Sequence, residues 1–115
     1  MHGVAITAIF QKNADAARLT DSEVLEIAST IAADPLAGAL MAGTGGARKV
    51  RHSGRGKGKS GGYRTIHYFG GDDVPVFLLA IYSKADRDNL SKSDRNALAA
   101  ILSRIADDYR ARKRK

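Results

Sequence analysis

Between Gly43 and Arg64 the chain reads GTGGARKVRHSGRGKGKSGGYR. Arg48, Lys49, Arg51, Arg55, Lys57, Lys59 and Arg64 are basic, and the stretch holds no acidic residue. Eight of the chain's 12 glycines also fall in it, so few of these side chains can serve as core, and the backbone can come close to a partner. Cations at this density are suited to holding a polyphosphate. Arg64 opens an aromatic and β-branched run, and Lys84 closes another, Ile81-Tyr82-Ser83-Lys84. Adjacent antiparallel strands would bring the two together with Lys57 and Lys59. Fixed cations so gathered bind a phosphodiester and stabilise the extra charge of a pentacoordinate transition state. Arginine suits this through its planar fork, and a lysine crowded by other cations gives up its proton more readily. These residues alone are equally compatible with a set of contacts that bind without cleaving.

Other motifs in the stretch carry less. Gly56 to Gly61 spells G-x-G-x-x-G, but a dinucleotide site needs a strand before it and a helix after it, and here a strand follows. Gly58-Lys59-Ser60 imitates the end of a P-loop, yet Ser53 stands where the opening glycine belongs and no helix follows to offer its N-terminus. The three histidines, His2, His52 and His67, show no metal-ligand spacing. His67 is within reach of a general-base role, but a plain strand histidine is the better reading.

The elements that must position these cations follow from periodicity. Val4, Ile6, Ile9 and Phe10 predict a strand over residues 3–10. Thr20 and Glu23 have capping-box spacing, and Val24, Leu25, Ile27, Ala28 and Ile31 recur as on a helix that Asp34-Pro35 stops. Residues 35–47 read as a glycine-bearing loop, Arg48 to His52 as a short strand, and Ser53 to Gly62 as a basic loop. Tyr63 to Phe69 is a strand, Gly70 to Asp73 a hairpin turn, and Val74 to Tyr82 a nearly continuous apolar strand that must be the most buried. Asp72 and Asp73 read as turn formers. Ser91 with Asp94 caps a last helix along Leu98, Ile101, Leu102 and Ile105 to about Tyr109, and a basic tail, residues 109–115, follows. The expectation is one α+β domain spanning 1–115: a small antiparallel sheet of about four strands, packed with N-terminal and C-terminal helices.

Length and composition agree. The 115 residues suffice for one core and not two. A net charge of +7 favours nucleic acid or another polyanion as partner. With no cysteine, a disulfide scaffold, a cysteine zinc site and a cysteine nucleophile are excluded. No apolar run approaches the roughly 18 residues of a membrane span, and the N-terminus lacks the basic region and cleavage site of a signal peptide. A cytoplasmic protein is expected.

GTGGARKVR, then GRGKGKSGGYRTIHYF, then FLLAIYSKADRDNLS, in this order and spacing, resemble the RelE/ParE superfamily of toxins from type II toxin–antitoxin pairs, and its HigB-type branch in particular. The resemblance covers nearly the whole chain. It implies a small RelE-like α+β ribonuclease that enters the ribosomal A site and cuts mRNA without metal or cofactor, the 2′-hydroxyl attacking the adjacent phosphate. By position, Arg64 matches the family's phosphate-binding arginine. Arg55 and Lys57 match its paired basic residues, Lys59 is an added candidate, and Lys84 matches the basic residue after the last strand. Arg64, Lys57, Lys59 and Lys84 are thus the expected catalytic set, with Arg48, Lys49, Arg51, Arg55 and Tyr82 in contact with RNA. Some relatives place a C-terminal tyrosine at the substrate; residues 87–91 hold none, and Tyr82 or Tyr109 are the alternatives. The implied partner is a helix-turn-helix antitoxin through which the complex binds operator DNA. Two other functions stay open on the sequence: a non-catalytic RNA- or ribosome-binding module, and a gyrase-directed ParE-like toxin, against which the density of basic residues speaks.

Overall fold

The computed structural model describes residues 3–52, 62–83 and 91–113. The chain runs β1 (Val4–Ile6), α1 (Ala8–Ala16), α2 (Asp21–Ala33), β2 (Ala39–Leu40), β3 (Arg48–His52), β4 (Tyr63–Tyr68), β5 (Val76–Ser83), α3 (Lys92–Leu102) and α4 (Ile105–Lys113). The strands form one sheet in the order β1-β5-β4-β3-β2. The α+β class expected from the sequence holds. Among the described residues the sheet has five strands where about four were expected, and it is mixed: β1 pairs parallel with β5, and the other pairings are antiparallel.

The N-terminal segment departs most from expectation. The strand expected over 3–10 stops at Ile6, and α1 begins at Ala8. Thr7 caps that helix: its hydroxyl accepts from the Phe10 amide and donates to the Leu78 carbonyl. From α1, Phe10 and Ala14, four residues apart, turn into the core. The helix closes without glycine. Arg18 takes the left-handed conformation at φ 60°, while the Leu19 amide reaches Ala14 O and the Arg18 amide reaches Asp15 O. These are the two hydrogen bonds of a Schellman cap.

The capping box of α2 forms as expected, with Thr20 Oγ1 accepting from the Glu23 amide and Glu23 Oε1 accepting from the Thr20 amide. Thr20→Ala removes one half of it and is expected to lower stability by about 1 kcal/mol, read as a shift of the urea midpoint with unchanged slope. An unchanged midpoint would mean that α2 is held by its buried face alone.

Each face of the sheet is covered. On one, Phe10, Ala14, Val24, Ile27 and Ile31 of α1 and α2 pack with Val76, Leu78 and Ile81. On the other, Ala47, Ile66, Phe77 and Leu79 pack with Leu102 and Ala106 of α3 and α4. Apolar cover on both faces is why β5 reads as an uninterrupted hydrophobic run. A β-bulge interrupts the β4–β5 ladder: Ile66 pairs with Ala80 and His67 with Leu78, leaving Leu79 without an opposite residue. Leu79 and Ala80 consequently lie in the same core cluster, and Ile81 lies in the other. From there to the end of β5 every side chain has changed face.

The C-terminal helix expected as one piece is two, parted at Ser103 and Arg104. Arg110 to Lys113, expected in the basic tail, belong to α4. Arg110 reaches back to Asp73 in the β4–β5 turn, its Nη2 2.9 Å from Oδ1, and its Nη1 also contacts Asp107. Asp73 is therefore both a turn residue and a tether for α4.

Candidate functional site

Arg64, the second residue of β4, stands opposite Arg51 of β3 on one side and Tyr82 of β5 on the other. Directly opposed residues share a face of the sheet, so these three side chains form a row across it. Lys49, two residues before Arg51, lies on the same face opposite Ile66. That face is the one α3 and α4 cover, as Ile66, Tyr82 and Leu98 share a cluster. Tyr82 owes its place in the row to the bulge at Leu79; in unbroken register it would join Leu78 and Val76 on the opposite face.

The burial of the row is graded. Arg64 is 8% exposed, whereas Lys49 and Tyr82 are half-buried and Arg51 is exposed. Two like charges directly opposed on neighbouring strands oppose pairing. The Arg51–Arg64 pair is thus a local cost within an otherwise consistent sheet. An anion seated between them turns that repulsion into attraction.

The expected residues divide as follows. Arg64, Arg51, Lys49 and Tyr82 are brought together. Arg48 is not: it alternates onto the opposite face, opposite His67, and its Nη1 donates to the carbonyls of Leu36 and Gly38 at 3.1 Å each. It anchors the loop before β2. Gly38 itself has φ 90°, and a Cβ there would lie 2.4 Å from the Lys49 carbonyl, so only glycine fits beneath that loop. Arg55, Lys57, Lys59 and Lys84 lie outside the described residues. Their strand ends, however, are defined: His52 closes β3 opposite Tyr63, and Tyr63 stands opposite Ser83 at the close of β5. The close of β3, the start of β4 and the close of β5 therefore all lie at the end of the sheet that holds Arg64. Tyr109 is distant from this end. Its ring meets Phe77 edge-on, with centroids 6.0 Å apart, and Phe77 pairs with Tyr68 at the other end of β4.

His67 has a structural role. Its ring is fully buried, and Nε2 lies 2.8 Å from the Pro35 carbonyl. A carbonyl only accepts, so Nε2 carries the proton of a neutral imidazole. His52 Nε2 meets the hydroxyl of buried Thr65 at 2.9 Å on the same face. Burial lowers both histidine pKa values, and for His67 the Pro35 hydrogen bond opposes the shift only in part. With folded pKa values below the unfolded value of about 6.5, acid favours the unfolded chain. Their contribution to stability is complete above that pH and is lost as the pH falls through it. Thermal unfolding followed between about pH 7.5 and 5.5 should show a falling midpoint, and His52→Gln should flatten part of the fall. A midpoint independent of pH over this range would contradict the burial argument. Among the described residues no group of three or more His, Asp or Glu is arranged to hold a metal, and no helix is long and apolar enough to cross a membrane.

The fold and the row of cations define a small α+β domain with a basic face at one end of its sheet. The family model for the RelE toxin of the RelE/RelB toxin–antitoxin system matches residues 3–114. The chain belongs to that toxin family, and an antitoxin partner goes with the membership.

Proposed function

We propose that this toxin is a ribosome-dependent mRNA endoribonuclease of the HigB-type branch, acting in the cytoplasm on codons in the ribosomal A site without metal. The observation that carries the reading is the buried Arg64, opposed by Arg51 and flanked by Tyr82 on one sheet face. Arginine stays protonated at any working pH, so Arg64 acts by charge and geometry: its fork holds the non-bridging oxygens of the scissile phosphate. The ribose 2′-hydroxyl attacks phosphorus, the bond to the 5′-oxygen breaks, and a 2′,3′-cyclic phosphate and a free 5′-hydroxyl result. One proton leaves the 2′-oxygen and one arrives at the 5′-oxygen. Lys57, Lys59 and Lys84 are the groups assigned to those transfers. Lys49, Arg51 and Arg55 hold neighbouring phosphates, and Tyr82 borders the base. Antitoxin bound to the toxin silences it, and the pair represses its own operator through a helix-turn-helix in the antitoxin.

The test adds purified protein to an mRNA with and without translating ribosomes and maps the 5′ ends of the fragments. Cuts confined to A-site codons during translation are expected. Cuts on naked RNA would keep the active site and remove the ribosome requirement. Intact RNA in both settings would leave a binding module, or, with DNA damage in cells, a gyrase-directed toxin.

A further inference from the structure

A cleft with two cations on its wall lies on the α3 side of the sheet, apart from the Arg64 row. Ala42 and Gly43 form one wall, and Lys92, Arg95 and Asn96 of α3 the other, around a cavity of about 430 Å³. Among the described residues no acidic one lines it. Asp94, the acid in this part of α3, lines the apolar cavity on the helix's other side, with Tyr82 and Leu98. Arg95 is half-buried, and its Nε is sealed from solvent with no hydrogen-bond acceptor among the described residues. A cationic donor in that state has lost its water without replacement, which an arriving anion corrects. On the facing wall, Gly43 has φ 78°, and a Cβ built there would meet nothing within 4 Å. The backbone is therefore open to a ligand.

Two cations, an amide and bare backbone select an anion with several acceptor oxygens, and arginine's fork favours phosphate. Continuity with the basic face favours a polymer. The turn bearing Gly43 joins β2 to β3, and β3 carries Lys49 and Arg51 on the face that α3 covers. A chain of phosphodiesters meets both sets of cations, where a single small anion meets one.

We infer that this cleft is a second phosphodiester subsite, in which Lys92 and Arg95 grip the RNA chain at a phosphate other than the one that reacts. It rests on the RNA reading of the Arg64 face and adds to it a binding site on α3. The probe is a short single-stranded 2′-O-methyl oligonucleotide, which lacks the attacking hydroxyl and cannot be cut by this route. Titrated into the full ¹⁵N-labelled chain, it should shift the Arg95 Nε–H and Gly43 amide signals together. The double variant Lys92→Gln, Arg95→Gln should reduce the salt dependence of binding, log Kd against log salt, by about 0.7, the value for one lost phosphate contact on a single strand. Arg95→Lys alone should keep that slope, and thermal unfolding of each variant should match the parent. The inference is overturned if the oligonucleotide shifts Arg64 and leaves Gly43 and Arg95 in place, if it binds nowhere, if the double variant keeps the full slope, or if oligoglutamate shifts the same signals as strongly. Because the probe is inert, these outcomes are independent of cleavage. Failure of the nuclease reading shows separately, as intact mRNA in the ribosome assay.

Discussion

Arg64→Ala is expected to lower mRNA cleavage by about 10²–10³-fold, the usual effect of removing one charge-stabilising donor from a reacting centre, and to abolish growth inhibition with it. The effect is large because Arg64 is the most enclosed cation of its row, at 8% exposure, where a charge acts through less solvent than at exposed Arg51. Arg51→Ala should cost less and act chiefly on binding, since its cation stands in water that screens it. Arg64→Lys keeps the charge but loses the two-pronged contact, so only partial recovery is expected. The comparison requires folded protein, and circular dichroism with thermal unfolding establishes that for each variant. Undiminished cleavage by folded Arg64→Ala would remove Arg64 from the reaction and the proposed mechanism with it.

The largest expected effect on stability is at Phe10. Its ring is fully buried between α1 and β5 with Ile31, Leu78 and Ile81, and Phe10→Ala should cost about 3–5 kcal/mol. Against the 5–15 kcal/mol typical of a domain, that leaves a substantial unfolded population at modest temperature. Ile9, its neighbour, is 56% exposed, and Ile9→Ala should stay within about 0.5 kcal/mol. Denaturant midpoints of the two variants check that Phe10, and not Ile9, faces the core. Equal losses at both positions would contradict the placement of α1.

The sequence carried the later half of the fold more clearly than the first. β4 and β5 are long, β-branched and bounded by glycine and proline, and α2 announces itself by its capping box. α1 was hidden for a physical reason: Ile6, Ile9 and Phe10 are strand-favouring types, the cap at Thr7 is a single residue, and the helix ends on Arg18 where a glycine would have marked the stop. β2 is two residues held by its neighbour and leaves no periodic trace. Of the site, charge and family resemblance together indicated Arg64, Arg51 and Lys49. Tyr82 could be named but not placed, because its face depends on the one-residue bulge at Leu79. Alternation in β3 sends Arg48 to the other face from Arg51, a distinction that a count of basic residues overlooks. Lys92 and Arg95 lie far from the glycine-rich stretch in sequence and meet its first turn only through the packing of α3.

The parallel pairing of β1 sets the order in which the toxin can become whole. Val4 to Ile6 find their partners at Val76 to Leu78, and Thr7 and Asn13 fasten α1 to Leu78 and Ile81. The segment synthesised first thus lacks its docking strand until most of the chain has been made. Closing so long a loop early is entropically unfavourable, and contacts of this span form slowly. The Arg64 row needs the same strand, because Tyr82 belongs to it. A nascent chain that ends before β5 therefore has neither an assembled core nor an assembled row of cations, and the cell translating this toxin meets the finished weapon only after β5 has left the translating ribosome.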